Sequence, residues 1–66
     1  MKNIHSTYQC IVYLADGIHI SQNEVCDSAT EAIERALLWG YLGHKAKAFR
    51  VAVDTTLGEV HYYPIF

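Results

Sequence analysis

Between Thr7 and Leu14 the chain reads Thr-Tyr-Gln-Cys-Ile-Val-Tyr-Leu, a run of β-branched and aromatic residues that favours an extended strand. Asp16-Gly17 follows, and a second strand-like run starts at Ile18. The pattern predicts a β-hairpin, with Asp-Gly supplying the positive φ values of a tight primed turn. Alternation turns Cys10, Val12 and Leu14 toward the core together with Ile18 and Ile20, and turns Gln9, Ile11 and Tyr13 outward with His19 and Ser21. The polar stretch Ser21 to Glu24 weakens the second strand, where a bulge is expected.

The period then changes. Asp27-Ser28-Ala29-Thr30-Glu31 reads as a helix start, with Ser28 as cap and Glu31 reaching back to complete a capping box. At 100° per residue Ala29, Ala32, Ile33, Ala36, Leu37 and Gly40 form the sheet-facing stripe, three alanines and a glycine allowing close approach. Gly43 is expected to stop the helix in a left-handed conformation, with His44 and Lys45 near the negative end of the dipole. Beyond it, Lys47 to Val53 alternates again, which places Phe49, Val51 and Val53 inward and Arg50 outward. A turn at 55–58 leads to a last strand, Glu59 to Phe66, that is expected to bury Val60 and Tyr62 and expose His61 and Tyr63. Pro64 lacks an amide donor, so this strand ends early or lies at an edge. The fold class is α+β: one domain over residues 1–66, a two-layer ββαββ arrangement with a four-stranded antiparallel sheet and one helix packed on one face.

Composition narrows the function. A chain of 66 residues, 52% of them hydrophobic, folds as a single small domain with little room for a deep substrate pocket. Its net charge is −2, and its five basic residues (Lys2, Arg35, Lys45, Lys47, Arg50) never form a run, which argues against a dedicated nucleic-acid binder. No stretch has the length and apolarity of a membrane span, and no signal-like segment follows Met1, so a cytoplasmic location is expected. Cys10 and Cys26, sixteen positions apart, match neither a redox pair nor a zinc site and read as reduced, buried side chains.

The surplus lies in the helix. Leu37 to Leu42 reads Leu-Leu-Trp-Gly-Tyr-Leu and is apolar on every side, although a surface helix needs only one apolar stripe. On the wheel Glu31, Glu34, Leu38 and Leu42 point away from the sheet and Trp39 and Tyr41 lie on opposite flanks, so Trp39 and Tyr41 could instead close the sides of the core. Leu38 and Leu42 have no such use and call for a partner, either a foreign protein or a second copy in a homodimer. These six residues are the candidate partner-binding set. A second set, Tyr13, His19, Arg50, His61 and Tyr63, would share the open sheet face with Ile11 and could stack unpaired bases, although such faces are commonly just solvated. The four histidines have no ligand spacing, so no metal or cofactor is expected; with no assembled acid, base or oxyanion donor, neither is an enzymatic activity.

The Tyr-rich hairpin, the helix Ser-Ala-Thr-Glu-Ala-Ile-Glu-Arg-Ala-Leu-Leu-Trp-Gly and the second hairpin together resemble small phage-encoded anti-CRISPR proteins, over roughly Thr7 to Tyr63. The resemblance implies an inhibitor that blocks a host CRISPR effector complex by direct binding, in the host cytoplasm, and it carries no shared site motif. The hairpin followed by Thr-Glu-Ala is similar to HicB-type antitoxins, from which this chain departs in its turn and in the expected lack of a DNA-binding extension.

Overall fold

The computed structural model describes residues 4–66. Strands β1 (Ile4–Tyr13) and β2 (Ile20–Cys26) precede the helix α1 (Ala29–Tyr41), and β3 (Lys45–Asp54) and β4 (Glu59–Pro64) follow it. The four strands form one open antiparallel sheet in the order β2-β1-β3-β4. The ββαββ order and the α+β class expected from the pattern are what the structure shows. The helix connects β2 to β3 across the central strand β1, and it packs on β3 and β1, touches β2 and leaves β4 uncovered.

The helix ends follow their sequence closely. Ser28 caps the start in an extended conformation, its hydroxyl accepting the Glu31 amide at 3.1 Å, while the Glu31 carboxylate reaches back one residue further than the expected capping box and accepts the Asp27 amide at 2.9 Å. At the other end Gly43 adopts φ +93°, the Gly43 amide donates to the Gly40 carbonyl and the His44 amide to the Trp39 carbonyl, completing a Schellman stop.

The first hairpin differs from the expectation. Only Gly17 has a positive φ there, so the connection is a six-residue loop and not a two-residue primed turn. The Asp16 carboxylate explains it by accepting the amides of Ile18 (2.8 Å) and His19 (3.0 Å), which removes both from strand pairing. Leu14 and Ile18 are consequently exposed instead of facing the core. The bulge falls where the polar stretch begins: Val12 pairs with Gln22 and Tyr13 with Ile20, leaving Ser21 unopposed.

The second correction concerns β3 and β4. Cys10 lies opposite Ala48 and Val12 opposite Ala46, so Ala46 and Ala48 face the helix, and Phe49, Val51 and Val53 project from the other face of the sheet. Val60 and Tyr62, opposite Val53 and Val51, go with them. Side chains alternate with period two, and choosing the wrong phase for β3 inverts every residue of that strand and its partner. The physical reason for the observed phase is space: α1 presents Ala32 and Ala36, both buried, and lies close enough that only small residues fit beneath it. The core under the helix is accordingly Cys10, Val12, Cys26, Ala32, Ala36 and Ala48, edged by Tyr8, Ile33, Trp39, Ala46 and Ile65.

Candidate docking surface

The outward half of α1 is positioned by the two caps and by the alanine stripe that fixes its roll on the sheet. Leu38 (45% exposed), Leu42 (59%) and Tyr41 (88%) stand in solvent, and Glu34 is exposed beside them. Trp39 does not join them. Its ring packs against the core, edge-on to His44 with centroids 5.2 Å apart, and its indole Nε1 donates to Oε1 of Glu24 at 2.8 Å. Arg35, one turn earlier on the helix, donates from Nε and a terminal nitrogen to the same carboxylate at 3.3 and 2.7 Å. Hydrogen bonds from Arg35 first, then Trp39, hold the Glu24 carboxyl below its ordinary pKa.

This three-residue clasp was not anticipated. Counting back from Cys26 by twos puts Glu24 on the helix face, and Arg35 and Trp39 are four apart on the helix; those two spacings were the available signal. The clasp occupies the helix flank over β2. Glu31 is likewise engaged, by the Asp27 amide at the helix start, so of the six candidate residues Leu38, Tyr41, Leu42 and Glu34 remain outward and uncommitted in the observed contacts.

Leu37 and Gly40, expected in the core, are exposed instead, Leu37 at 52%. They line a groove of about 720 Å³ between the end of α1, the start of β3 and Phe66, which extends the apolar surface round the helix end. The helix is rolled so that Trp39, not Leu37, reaches the core, because the Glu24 carboxylate draws the Trp39 flank down onto β2.

The second candidate set does not assemble. Tyr13 projects from the face away from the helix, whereas Arg50, opposite Tyr8 and Tyr63, lies on the helix side of the sheet with Tyr63 and His61. Arg50 stacks its guanidinium 4.4 Å from the centre of the Tyr63 ring, and His61 meets Glu59 at 3.1 Å. His19 sits in the β1–β2 loop, its Nδ1 hydrogen-bonded to the Asp16 carboxylate. The cause is the inverted phase of β3 and β4.

Cys10 and Cys26 are buried and unbonded to each other, and burial pushes the Cys10 thiol up to about 11. Among the described residues no three His, Cys, Asp or Glu side chains converge as a metal site requires, and no helix is long and apolar enough to cross a membrane. No family model, curated protein or solved structure matches the chain.

Proposed function

We propose that this protein is a non-enzymatic protein-binding module that docks through the outward C-terminal half of α1. The observation that carries the reading is the exposure of Leu38 and Leu42, one helical turn apart, at 45% and 59%. Two leucines left half in water on a helix whose opposite stripe is already packed have no intrachain use among the described residues, and burying their remaining exposed area against a partner yields about 1 kcal/mol each. Tyr41 supplies a rigid aromatic beside them, and Glu34 an uncommitted carboxylate at the rim.

The partner class we propose is a host defence assembly, with the chain acting as a phage or mobile-element inhibitor of the anti-CRISPR type in the host cytoplasm. The resemblance of the hairpin-helix-hairpin sequence to such inhibitors supports it, together with a domain too small for catalysis. The nucleic-acid alternative rested on one sheet face holding Tyr13, His19, Arg50, His61 and Tyr63, and those residues are divided between two faces and a loop.

The test is binding of the purified chain to purified CRISPR effector complexes, with Leu38 and Leu42 both replaced by Ser. Binding by the wild type and its loss in a folded double variant is the expected result. Undiminished binding by that variant overturns the docking surface, and no binding to any effector overturns the partner class.

A further inference from the structure

We propose that the groove between the end of α1, the start of β3 and Phe66 binds a single-chain fatty carboxylate, its hydrocarbon tail along the apolar walls and its head against Lys45 and Lys47. The site adjoins the helix surface that carries Leu38 and Leu42 and stands independently of what those leucines bind.

The groove follows from the phase of β3. Ala46 faces the helix, while Lys45 and Lys47 on either side of it take the opposite phase of the strand. The start of β3 therefore gives the groove a short methyl group on its helix side and two cationic side chains at its lip. Gly40 contributes no side chain from the helix, and a methyl group built there meets no atom within 4 Å, so the wall stays open at that point. Leu37 and Phe66, 52% and 54% exposed, supply apolar walls that the chain leaves half in water. The volume of about 720 Å³ lies within the range of small-ligand sites, about 300–1,000 Å³.

The charges select an anion. No side chain lining the groove is acidic. Lys45 lies over Gly17, where an added Cβ would stand 3.2 Å from Nζ, so the glycine leaves room for the ammonium. Among the described residues the ion pairs are Arg35 with Glu24, His19 with Asp16 and His61 with Glu59, and none takes either lysine. The Asp16 carboxylate feels the Lys45 charge but is committed to the amides of Ile18 and His19 and to the His19 ring. An anionic head at the lip meets two cations that no other ion pair engages.

The hydrogen-bonding inventory selects a hydrocarbon tail over a peptide or a nucleotide. The lining holds no carboxylate and no side-chain amide, and its side-chain acceptors are limited to the hydroxyls of Tyr13 and Tyr41 and a ring nitrogen of His44. A peptide's run of N–H groups, or the amino groups of a base, would be stranded against Ala36, Leu37 and Phe66, at the desolvation cost of unpaired polar groups. A fatty carboxylate brings acceptors at one end only, where the lysines are. Its tail has no polar group to satisfy and gains from leaving water.

Trp39 is the single tryptophan, and its ring stands edge-on to His44 of the groove wall, so its fluorescence reports occupancy. Titration of the full chain with sodium decanoate, kept below its micelle concentration, should change that emission saturably, with amide shifts in two-dimensional NMR centred on Leu37, Gly40 and Ala46. Decyltrimethylammonium, the same tail with a cationic head, is expected to bind about tenfold more weakly, and Lys45→Gln with Lys47→Gln to weaken decanoate by about the same factor, as two partly exposed ion pairs permit. Gly40→Leu, which projects into open space, should plug the groove and abolish the response, whereas Leu38→Ser with Leu42→Ser should leave it unchanged. Should the Gly40 variant unfold, the lysine variant, altered only at exposed positions, decides the matter. No saturable response to decanoate overturns the inference, as does equal binding of the cationic amphiphile or of a nucleoside monophosphate. So does decanoate binding that survives the folded lysine or groove variant, or that disappears with the two leucines.

Discussion

The indole nitrogen of Trp39 and the carboxylate of Glu24 are joined by a 2.8 Å hydrogen bond, and this bond fixes which flank of α1 lies against the sheet. Arg35 completes the carboxylate's coordination. Replacing Glu24 by Ala leaves both donors unpaired and is expected to cost about 1–3 kcal/mol, toward the lower end because the cluster is partly open to water. The pH dependence has a definite sign. Glu24 has a lowered folded pKa, so its contribution is present above the ordinary value of 4.5 and is lost as pH falls through the depressed one. Urea unfolding from pH 7 downward should therefore show an acid limb that is shallower in Glu24→Gln.

The two cysteines give a prediction at the other end of the scale. Burial, aided by the nearby Glu24 carboxylate, holds the Cys10 thiol neutral up to about pH 11, and the Cys26 thiol is raised by burial as well. Neither should react with a thiol reagent at pH 8 unless the domain opens, so labelling rates should follow the global unfolding equilibrium across a denaturant series. For a raised acid the stability is intact below the unfolded thiol value near 8.5 and declines as pH climbs toward the folded one. Alkaline destabilisation should diminish in Cys10→Ala.

The orientation of β3 can be read by substitution. Ala48 is fully buried beneath α1, whereas its neighbour Phe49 is half-buried on the opposite face. Ala48→Leu inserts three carbons between helix and sheet and is expected to cost about 1–3 kcal/mol or more in urea unfolding. Phe49→Leu should cost less than Ala48→Leu. The reverse order would mean that the large residues of β3 face the helix after all.

Much of this architecture could be read along the chain, and the failures share a cause. Ser28, Glu31 and Gly43 act within one turn of themselves, so local chemistry determined the helix ends and the sequence was sufficient. The Cys10 and Val12 side of β1 was legible because a half-buried strand alternates. β3 takes the phase opposite to the one its large apolar residues suggest, because a helix presenting Ala32 and Ala36 leaves room only for Ala46 and Ala48. Leu37 and Trp39 exchanged roles for a non-local reason: Glu24, fifteen residues before Trp39, decides the roll of the helix. The exposure of Leu38 and Leu42 was legible because the wheel puts them opposite the alanine stripe, and a modest roll cannot bring them inside.

Gly40 and Gly43, three residues apart at the helix end that carries Leu42, should respond to alanine with opposite signs. Gly40 is helical, and a methyl group there meets no atom within 4 Å, so the expected close approach to the sheet does not occur at this residue. Gly40→Ala restricts the unfolded chain and favours the helix, and is expected to stabilise by about 0.5–1 kcal/mol. Gly43 also has open space around it, but its φ of +93° lies where an L side chain is strained. Gly43→Ala is expected to destabilise by about 1–2 kcal/mol, through the backbone alone. Because no contact is lost, D-alanine introduced at 43 by chemical synthesis should restore or exceed the wild-type melting temperature. If L- and D-alanine destabilise equally, the helix does not end in the Schellman turn that now holds Leu42 outward.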